Sequence, residues 1–242
     1  AIAVAGPQVE DWLVQAVAGL PEQALVTGLH AGIDAGLLLV THGVGADRYA
    51  FRHPLIGEVV YGGLLATERR RLHEACAQAL VDHKGGTGSS AAGYWSELAR
   101  HWQVAGDVEH ALTAAVRAGT EAELAFAFET ALARDEQALG MWDVVDDPRL
   151  LSGLDRLALL RRTCWAAHLA GSNDRAAILA QQAVAEADRA GDGRLTAVTR
   201  AELGYALWMA GEPDDSESAY RAAVAMMPPE PPSAEGARVL AG

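Results

Sequence analysis

Met209-Ala210-Gly211-Glu212 joins two stretches in which apolar residues recur at helical spacing. The same kind of junction occurs at Leu169-Ala170-Gly171-Ser172 and at Val104-Ala105-Gly106-Asp107. In each junction a glycine suits the left-handed C-cap of one helix, and Asp, Ser or Glu begins the next helix. Helices joined in this way pack side by side as pairs. Over residues 91–242 the sequence therefore predicts a TPR-like α-α superhelix.

The spacing of the junctions indicates how many helix pairs there are. The interval from Gly106 to Gly171 is clearly longer than the interval from Gly171 to Gly211. The longer interval leaves room for a further pair, whose second helix carries Leu132, Leu139 and Trp142. The proline-rich stretch from Met227 to Pro232 ends a pair, and residues 233–242 begin a helix that is not completed. We therefore predict a repeat array that is truncated at its C-terminal end.

Residues 1–65 have a different pattern, which mixes helices and strands. Helical spacing predicts one helix over Val9–Leu20 and a second over Pro21–Gly36. Leu37–Thr41 and Arg48–Arg52 are strand-like runs around a glycine-bearing turn, His42–Asp47, as in a β-hairpin. The fold class predicted is mainly α: a small winged-helix module with a β-hairpin at residues 1–65, followed by the superhelix.

Residues 66–90 are predicted to connect the two parts. A short helix begins at His53-Pro54 with Leu55 on its apolar face, and a longer one runs from Thr67 to His83. Lys84 to Ser90 is rich in Gly and Ser, which is typical of a flexible linker.

Composition argues against several functions. The formal net charge of −13 makes the chain alone a poor nucleic-acid binder, because Lys and Arg must neutralise phosphates. No Lys or Arg precedes Arg48, so a helix of the first module would approach DNA with the wrong sign. Cys76 and Cys164 stand apart in apolar helical patterns, as buried and inert thiols do. The chain lacks a basic targeting region and an apolar run of the roughly 20 residues that cross a bilayer, so we predict a cytosolic protein without a membrane segment.

Motifs for catalysis or cofactors are missing from the sequence. The eight histidines include no HExxH and no zinc-like Cys-His spacing, and no serine stands in a G-x-S-x-G elbow. The single lysine, Lys84, precedes its glycines, so no phosphate-binding loop is formed. We predict a segment that is not an enzyme and holds neither a metal nor a cofactor.

One stretch nevertheless carries a family resemblance. Tyr49 to Tyr61 reads YAFRHPLIGEVVY, and Leu64-Leu65 and Glu68 to His73 follow it. This stretch resembles the region after the ATPase module in LuxR-type, MalT-like transcriptional regulators of the STAND class. The resemblance implies an ATP-binding domain upstream, a winged helix, a TPR-like sensor and a promoter-binding helix-turn-helix downstream. It also implies self-association, and DNA contact only through the downstream domain.

Two basic groups are candidate sites in the first part of the chain. Arg52 and His53 lie at the strand-to-helix junction, where they could couple to a nucleotide held by a neighbouring domain or could simply cap a turn. Arg69, Arg70 and Arg71 form the densest basic cluster, which we interpret as a solvated helix face in preference to a phosphate or partner contact.

Aromatic residues recur near the repeat junctions. Most of them, including Trp165, Trp208 and Tyr220, are predicted to fill the core between helices. A solenoid can also bind partners through aromatics and arginines, and the candidate groove residues for an effector or protein partner are Arg162, Arg200, Tyr205 and Trp208.

The sequence leaves three functions open. The first is a sensor and coupling segment of a multidomain bacterial regulator, whose repeats bind an effector or a protein and whose winged helix relays that event to a neighbouring ATPase. The alternative is a stand-alone TPR-type adaptor without a nucleotide link. Direct DNA binding by the first module is a third and less favoured reading, because of its acidic charge.

Overall fold

Helices make up most of the chain, and a small sheet lies near its start. A computed structural model describes residues 1–43, 46–83 and 91–227. Two units divide the chain: Ala1–Ala114, called unit 1, and Ala115–Gly242, called unit 2. The helices of the described ranges are α1 (Ile2–Ala5), α2 (Asp11–Ala18), α3 (Glu22–Asp34), α4 (Pro54–Gly62), α5 (Ala66–Asp82), α6 (Ala91–Ala105), α7 (Val108–Leu124), α8 (Phe128–Met141), α9 (Pro148–Ser152), α10 (Arg156–Leu169), α11 (Asn173–Ala190), α12 (Gly193–Ala210) and α13 (Pro213–Met226).

The sheet of unit 1 has three antiparallel strands: β1 (Val9–Glu10), β2 (Leu38–His42) and β3 (Asp47–Phe51), in the order β1-β3-β2. The antiparallel pairing of β2 with β3 confirms the predicted hairpin, and residues 44 and 45 lie outside the described ranges. The helix predicted over Val9–Leu20 is wrong at its start. Val9 pairs with Tyr49 in the sheet, where only 2% of it is exposed, so burial in the sheet outweighs the helical spacing.

Unit 1 extends beyond the module predicted for residues 1–65. Helix α5 packs against both α1 and α2, and α6 packs against α5. These helices share a core that includes Leu80 and Leu98, which are almost fully buried. The linker predicted at Lys84–Ser90 lies outside the described residues.

The helix after the hairpin turns its glycine inward. A Cβ on Gly57 would lie 2.9 Å from Cδ2 of Phe51, so α4 packs closely on β3 only because residue 57 has no side chain. This orientation leaves Leu55 and Val59 on the outside, 70% and 76% exposed. The expectation that Leu55 lies on a buried apolar face is therefore wrong for this chain.

A chain of hydrogen bonds crosses the interior of unit 1. Arg100 Nη2 lies 2.8 Å from His101 Nε2, the Nδ1 atoms of His101 and His73 lie 3.0 Å apart, and His73 Nε2 lies 3.1 Å from the hydroxyl of Tyr61. Arginine can only donate, so the proton of His101 sits on Nδ1 and that of His73 on Nε2. Arg100 also donates to the carbonyl of Ala5 at 3.1 Å. The network thus ties α1, α4, α5 and α6 together.

Both histidines of this network are held neutral. Each is fully buried. Desolvation, together with the charge of Arg100, lowers the pKa of His73 to about 4 and that of His101 to about 3.

Unit 2 contains the predicted helix pairs. Helices α10 to α13 pack in sequence, each on the next, through short connections. Gly171, Gly191 and Gly211 have φ values of 78°, 74° and 85°, the left-handed conformation that ends a helix at low cost in glycine. The prediction of paired helices around Gly171 and Gly211 is confirmed, whereas the junction at Gly191 was missed. The helix predicted at residues 233–242 lies outside the described residues.

Alanine allows the helices of unit 2 to approach closely. One buried cluster combines the leucines of α10 and α11 with alanines that have almost no exposed surface: Leu157, Leu160, Leu179, Ala167, Ala176, Ala183 and Ala187. Asp155 and Asp192 cap α10 and α12, accepting from the amides of Ala158 and Leu195. Among the described helices, none is long and apolar enough to cross a membrane.

An ion pair is buried between α7, α8 and α10. Arg162 Nε donates to Asp135 Oδ2 at 2.8 Å, and Nη2 binds the other carboxylate oxygen. The Asp135 side chain is 1% exposed. Arg162 also donates to the hydroxyl of Thr120 at 2.8 Å and to the carbonyl of Val116 at 3.3 Å. A Cβ on Gly119 would lie 2.0 Å from Asp135 Oδ1, so only glycine fits there.

Candidate functional site

Large aromatic side chains lie on the surface of unit 2. Trp165 on α10 is 48% exposed, and Tyr205 and Trp208 on α12 are 41% and 63% exposed. Together with His168 we call these residues the aromatic strip. Exposed tryptophans on a folded surface are uncommon enough to point to a binding function.

The aromatic residues of α10 and α12 lie side by side because the two helices run in the same direction. Each is joined to α11 by a tight turn, so both are antiparallel to α11 and parallel to each other. The rings of Trp165 and His168 lie 5.4 Å apart, and those of His168 and Tyr205 lie 5.2 Å apart. Trp208 stands one helical turn beyond Tyr205 on α12.

Hydrogen bonds hold the middle of the strip in place. His168 Nδ1 lies 2.9 Å from Oδ1 of Asn173, and its Nε2 lies 3.1 Å from the hydroxyl of Tyr205. An amide oxygen only accepts, so His168 carries its proton on Nδ1 and accepts from Tyr205 on Nε2. The two rings are therefore held in one orientation before any partner binds.

The borders of the strip differ in chemistry. On one border Arg161 forms a two-pronged ion pair with Glu202, and these residues lie one turn before Trp165 and Tyr205. Toward the other border, Leu169 and Met209 add apolar surface and are 40% and 38% exposed. The strip is thus an apolar surface with a neutralised ion pair at one end.

The structure brings together only part of the predicted groove. Tyr205 and Trp208 lie in the strip, but Arg162 is committed to the buried pair with Asp135. Arg200 turns toward α11, where Nη2 binds Asp188 at 2.9 Å. The arginines therefore serve packing between helices in this arrangement.

The prediction that most of these aromatics fill the core is wrong for Trp165 and Trp208. It holds in part for Tyr220, whose ring packs at the place where Gly204 has no side chain. Sequence reasoning missed His168, although a signal was present. The strip positions repeat at the same interval as the junction glycines Gly171 and Gly211: Trp165, His168 and Leu169 on α10 correspond to Tyr205, Trp208 and Met209 on α12.

The junction residues Arg52 and His53 lie at the surface of unit 1. Arg52 Nε donates to the carbonyl of Gly36 at 2.8 Å, so this side chain closes the turn after α3. His53 immediately precedes α4 and makes no capping hydrogen bond with its side chain. The nucleotide-coupling role of the two residues stays a prediction.

The basic cluster does not share one environment. Arg70 and Arg71 are exposed, as predicted for a solvated face. Arg69 is half-buried: its guanidinium lies 4.6 Å from the ring centre of Tyr61 and 3.4 Å from the carbonyl of Leu64. The interpretation of all three as solvated is therefore wrong for Arg69.

Replacing Arg69 is expected to destabilise unit 1 more than replacing its neighbours. Arg69→Met should cost about 1–2 kcal/mol, because it removes a cation-π contact and bonds to carbonyls. Arg70→Met and Arg71→Met, the matched controls, should change the free energy of unfolding by less than about 0.5 kcal/mol. Hydrogen exchange of the α4 and α5 amides measures the loss in all three variants, and equal losses would show that Arg69 does not anchor α4.

Neither thiol is suited to chemistry. Desolvation raises the pKa of Cys76 to about 12 and that of Cys164 to about 11, so almost no thiolate forms near neutral pH. Within the described ranges, no group of three or more His, Cys, Asp or Glu side chains could hold a metal ion.

With this geometry the class is a helical-repeat protein that carries an exposed aromatic surface. No family model matches the chain. A protein of Rhizobium meliloti (strain 1021), described as uncharacterized, is 32% identical over 162 residues, which are 66% of this chain. The chain spans 15% of the length of that relative.

Solved structures of TPR-like repeats are also similar. The nearly identical, kinesin light chain-like repeats of Podosopora anserina match 73% of this chain and 97% of their own at 18% identity, with a TM-score of 0.29. A variant of the same repeats matches 71% of this chain and 91% of its own at 17% identity, also with a TM-score of 0.29. The assignment as a helical repeat rests on this chain's own helix pairs.

Proposed function

We propose that this chain is the recognition segment of a longer multidomain regulator, and that the aromatic strip binds a protein partner. The observation that carries the proposal is the row of contacting rings from Trp165 through His168 to Tyr205, in which Trp165 and Tyr205 are exposed, with Trp208 exposed one turn beyond Tyr205. Tryptophan and tyrosine are the residues most often found at the centres of protein interfaces. The hydrogen bonds of His168 reduce the entropy that binding would cost.

The place in a larger protein rests on other observations. The matched relative is several times longer than this chain. The stretch from Tyr49 to Tyr61 resembles STAND-class regulators, in which residues 1–65 would correspond to a winged helix beside an ATPase. Arg52 and His53 would couple to that ATPase, and ATP and promoter DNA would be bound in domains outside this segment. The segment itself would bind, without catalysis, in the cytoplasm.

Removing the strip should abolish partner binding without unfolding the chain. Trp165→Ala together with Trp208→Ala is expected to raise the Kd for the partner by on the order of 700-fold, since central tryptophans often contribute about 2 kcal/mol or more each. Leu150→Ala is the matched control, because Leu150 is an apolar side chain of unit 2 that is 79% exposed outside the strip.

The measurement begins with partners that the wild-type chain retains from a lysate of its own cells, and then titrates one purified partner by calorimetry. Circular dichroism checks that both variants keep their helices. Unchanged affinity in the double variant would contradict a role for the strip.

A stand-alone adaptor is the second candidate, and the reading frame on both sides of the segment discriminates. A P-loop upstream and a basic helix-turn-helix downstream support the regulator. A frame with neither supports the adaptor.

A further inference from the structure

The end of the aromatic strip beyond Trp208 is acidic. Residues 165–176 and 205–217 make up the C-terminal halves of α10 and α12 and the helix starts that follow them. Asp and Glu outnumber Arg and Lys in these stretches, where Arg175 is the single Arg or Lys residue. Negative charge therefore accumulates at this border of the strip.

The carboxylates lie just after the strip residues along the chain, at the starts of the next helices. Asp174 directly follows Asn173, the residue that binds His168. Glu212 lies just beyond the end of α12, four residues after Trp208, and its amide donates to the carbonyl of Leu207 at 2.9 Å. Asp214 and Asp215 lie in the first turn of α13. All of these carboxylates are exposed, so they can meet a bound chain.

The basic residues near the strip are already engaged. Arg175 binds Glu136 on α8. Arg161, at the opposite border, binds Glu202. The electrostatic potential along the strip thus changes from neutral at one border to negative at the other. A negatively charged group on a ligand would be repelled at the negative border.

We propose that the occupant of the strip is a peptide segment of a partner protein that carries apolar side chains and at least one arginine or lysine. The apolar side chains would pack on Trp165 and Tyr205. The cation would lie over the indole of Trp208, since tryptophan is the best cation-π acceptor, with its charge toward Asp214 and Asp215. The proposal rests on the proposed function, because it assigns the chemistry of the partner to the same strip.

The test is selection of random dodecapeptides displayed on phage against the complete chain. The wild type is compared with the Trp165→Ala/Trp208→Ala variant and with Asp214→Asn/Asp215→Asn, which removes charge but not volume. Peptides enriched by the wild type over the tryptophan variant should be rich in Arg or Lys next to apolar residues. In a synthetic copy of an enriched peptide, replacing arginine by the neutral isostere citrulline should weaken binding at least about tenfold. The Asp214→Asn/Asp215→Asn variant should lose most of that preference, and added salt should weaken binding to the wild type.

The outcomes separate this inference from the proposed function. Tryptophan-dependent enrichment of acidic or uncharged peptides would overturn the basic partner and leave the strip as a binding surface. Enrichment that is the same with and without the tryptophans would overturn both. Sedimentation adds one more outcome. If the wild type is a dimer and the tryptophan variant is a monomer, the strip binds a second copy of the chain, and the proposal of a basic peptide is overturned.

Discussion

Arg162→Leu is expected to destabilise unit 2 by about 3–5 kcal/mol, the usual result of removing one partner from a buried ion pair. Asp135 would keep its carboxyl group in the interior, 1% exposed, without the two hydrogen bonds from Arg162. The bonds to Thr120 and Val116 on α7 would also be lost. Arg161→Leu is the matched control: its ion pair with Glu202 is about one third exposed, and such pairs contribute about 0–1 kcal/mol.

The cost of this substitution should depend on pH. Burial raises the pKa of Asp135 to about 6 even though Arg162 favours the charged form. Without the guanidinium the pKa should rise further, so the carboxyl would be neutral and less costly below it. The loss of stability in the Arg162 variant should therefore grow as the pH rises from about 5 to about 8.

Hydrogen exchange in α8 and α10 is the suitable measurement, because two units need not unfold together and a single midpoint would mix them. Faster exchange of these helices in Arg162→Leu, but not in Arg161→Leu, is the expected result. Similar exchange in both variants at about pH 8 would refute the importance of the buried pair.

Unit 1 should become less stable in acid, because the pKa values of its buried histidines are lowered in the folded chain, whereas that of Asp135 is raised. His73 and His101 have pKa values of about 4 and about 3 in the folded chain, below the ordinary value of 6.5. The unfolded chain therefore binds more protons, and stability falls as the pH drops below 6.5 toward the folded values. Between about pH 7 and pH 4.5 the expected loss is about 3–5 kcal/mol for the two histidines together.

The loss of stability is measured by urea denaturation at each pH, with hydrogen exchange of the α5 and α6 amides as the readout. His110→Gln is the control, because this histidine is 66% exposed and lies outside the network. The control should reproduce the wild-type pH dependence. Full protection of α5 and α6 at about pH 4.5 would contradict the neutral histidine pair.

Local chemistry determined what could be predicted from the sequence. Glycines that end helices identified the junctions at Gly171 and Gly211, and a glycine-bearing turn identified the hairpin, because these conformations depend on a few neighbouring residues. The strand at Val9 could not be found in this way. So short a strand carries no periodicity, and its pairing with Tyr49 depends on contacts with a distant part of the chain.

The direction in which a side chain points was the weakest prediction. Leu55 is outside because Gly57 faces Phe51, and Arg162 is inside because Asp135 and Gly119 make room for it. Each depends on a partner from another element, which spacing along one helix does not reveal. The aromatic strip could have been predicted from the sequence, since Tyr205 and Trp208 are candidate groove residues. The strip positions also repeat at the interval between Gly171 and Gly211.

Gly119 gives the evolution of this fold a particular constraint. Any larger residue at that position would collide with the carboxylate of Asp135, so Gly119 can be substituted only if Asp135 is substituted as well. Removing the acid in turn leaves Arg162 without its counter-ion. Across homologous sequences the three positions should therefore be exchanged together, as a correlated triplet spread over three helices, while residues around them drift independently.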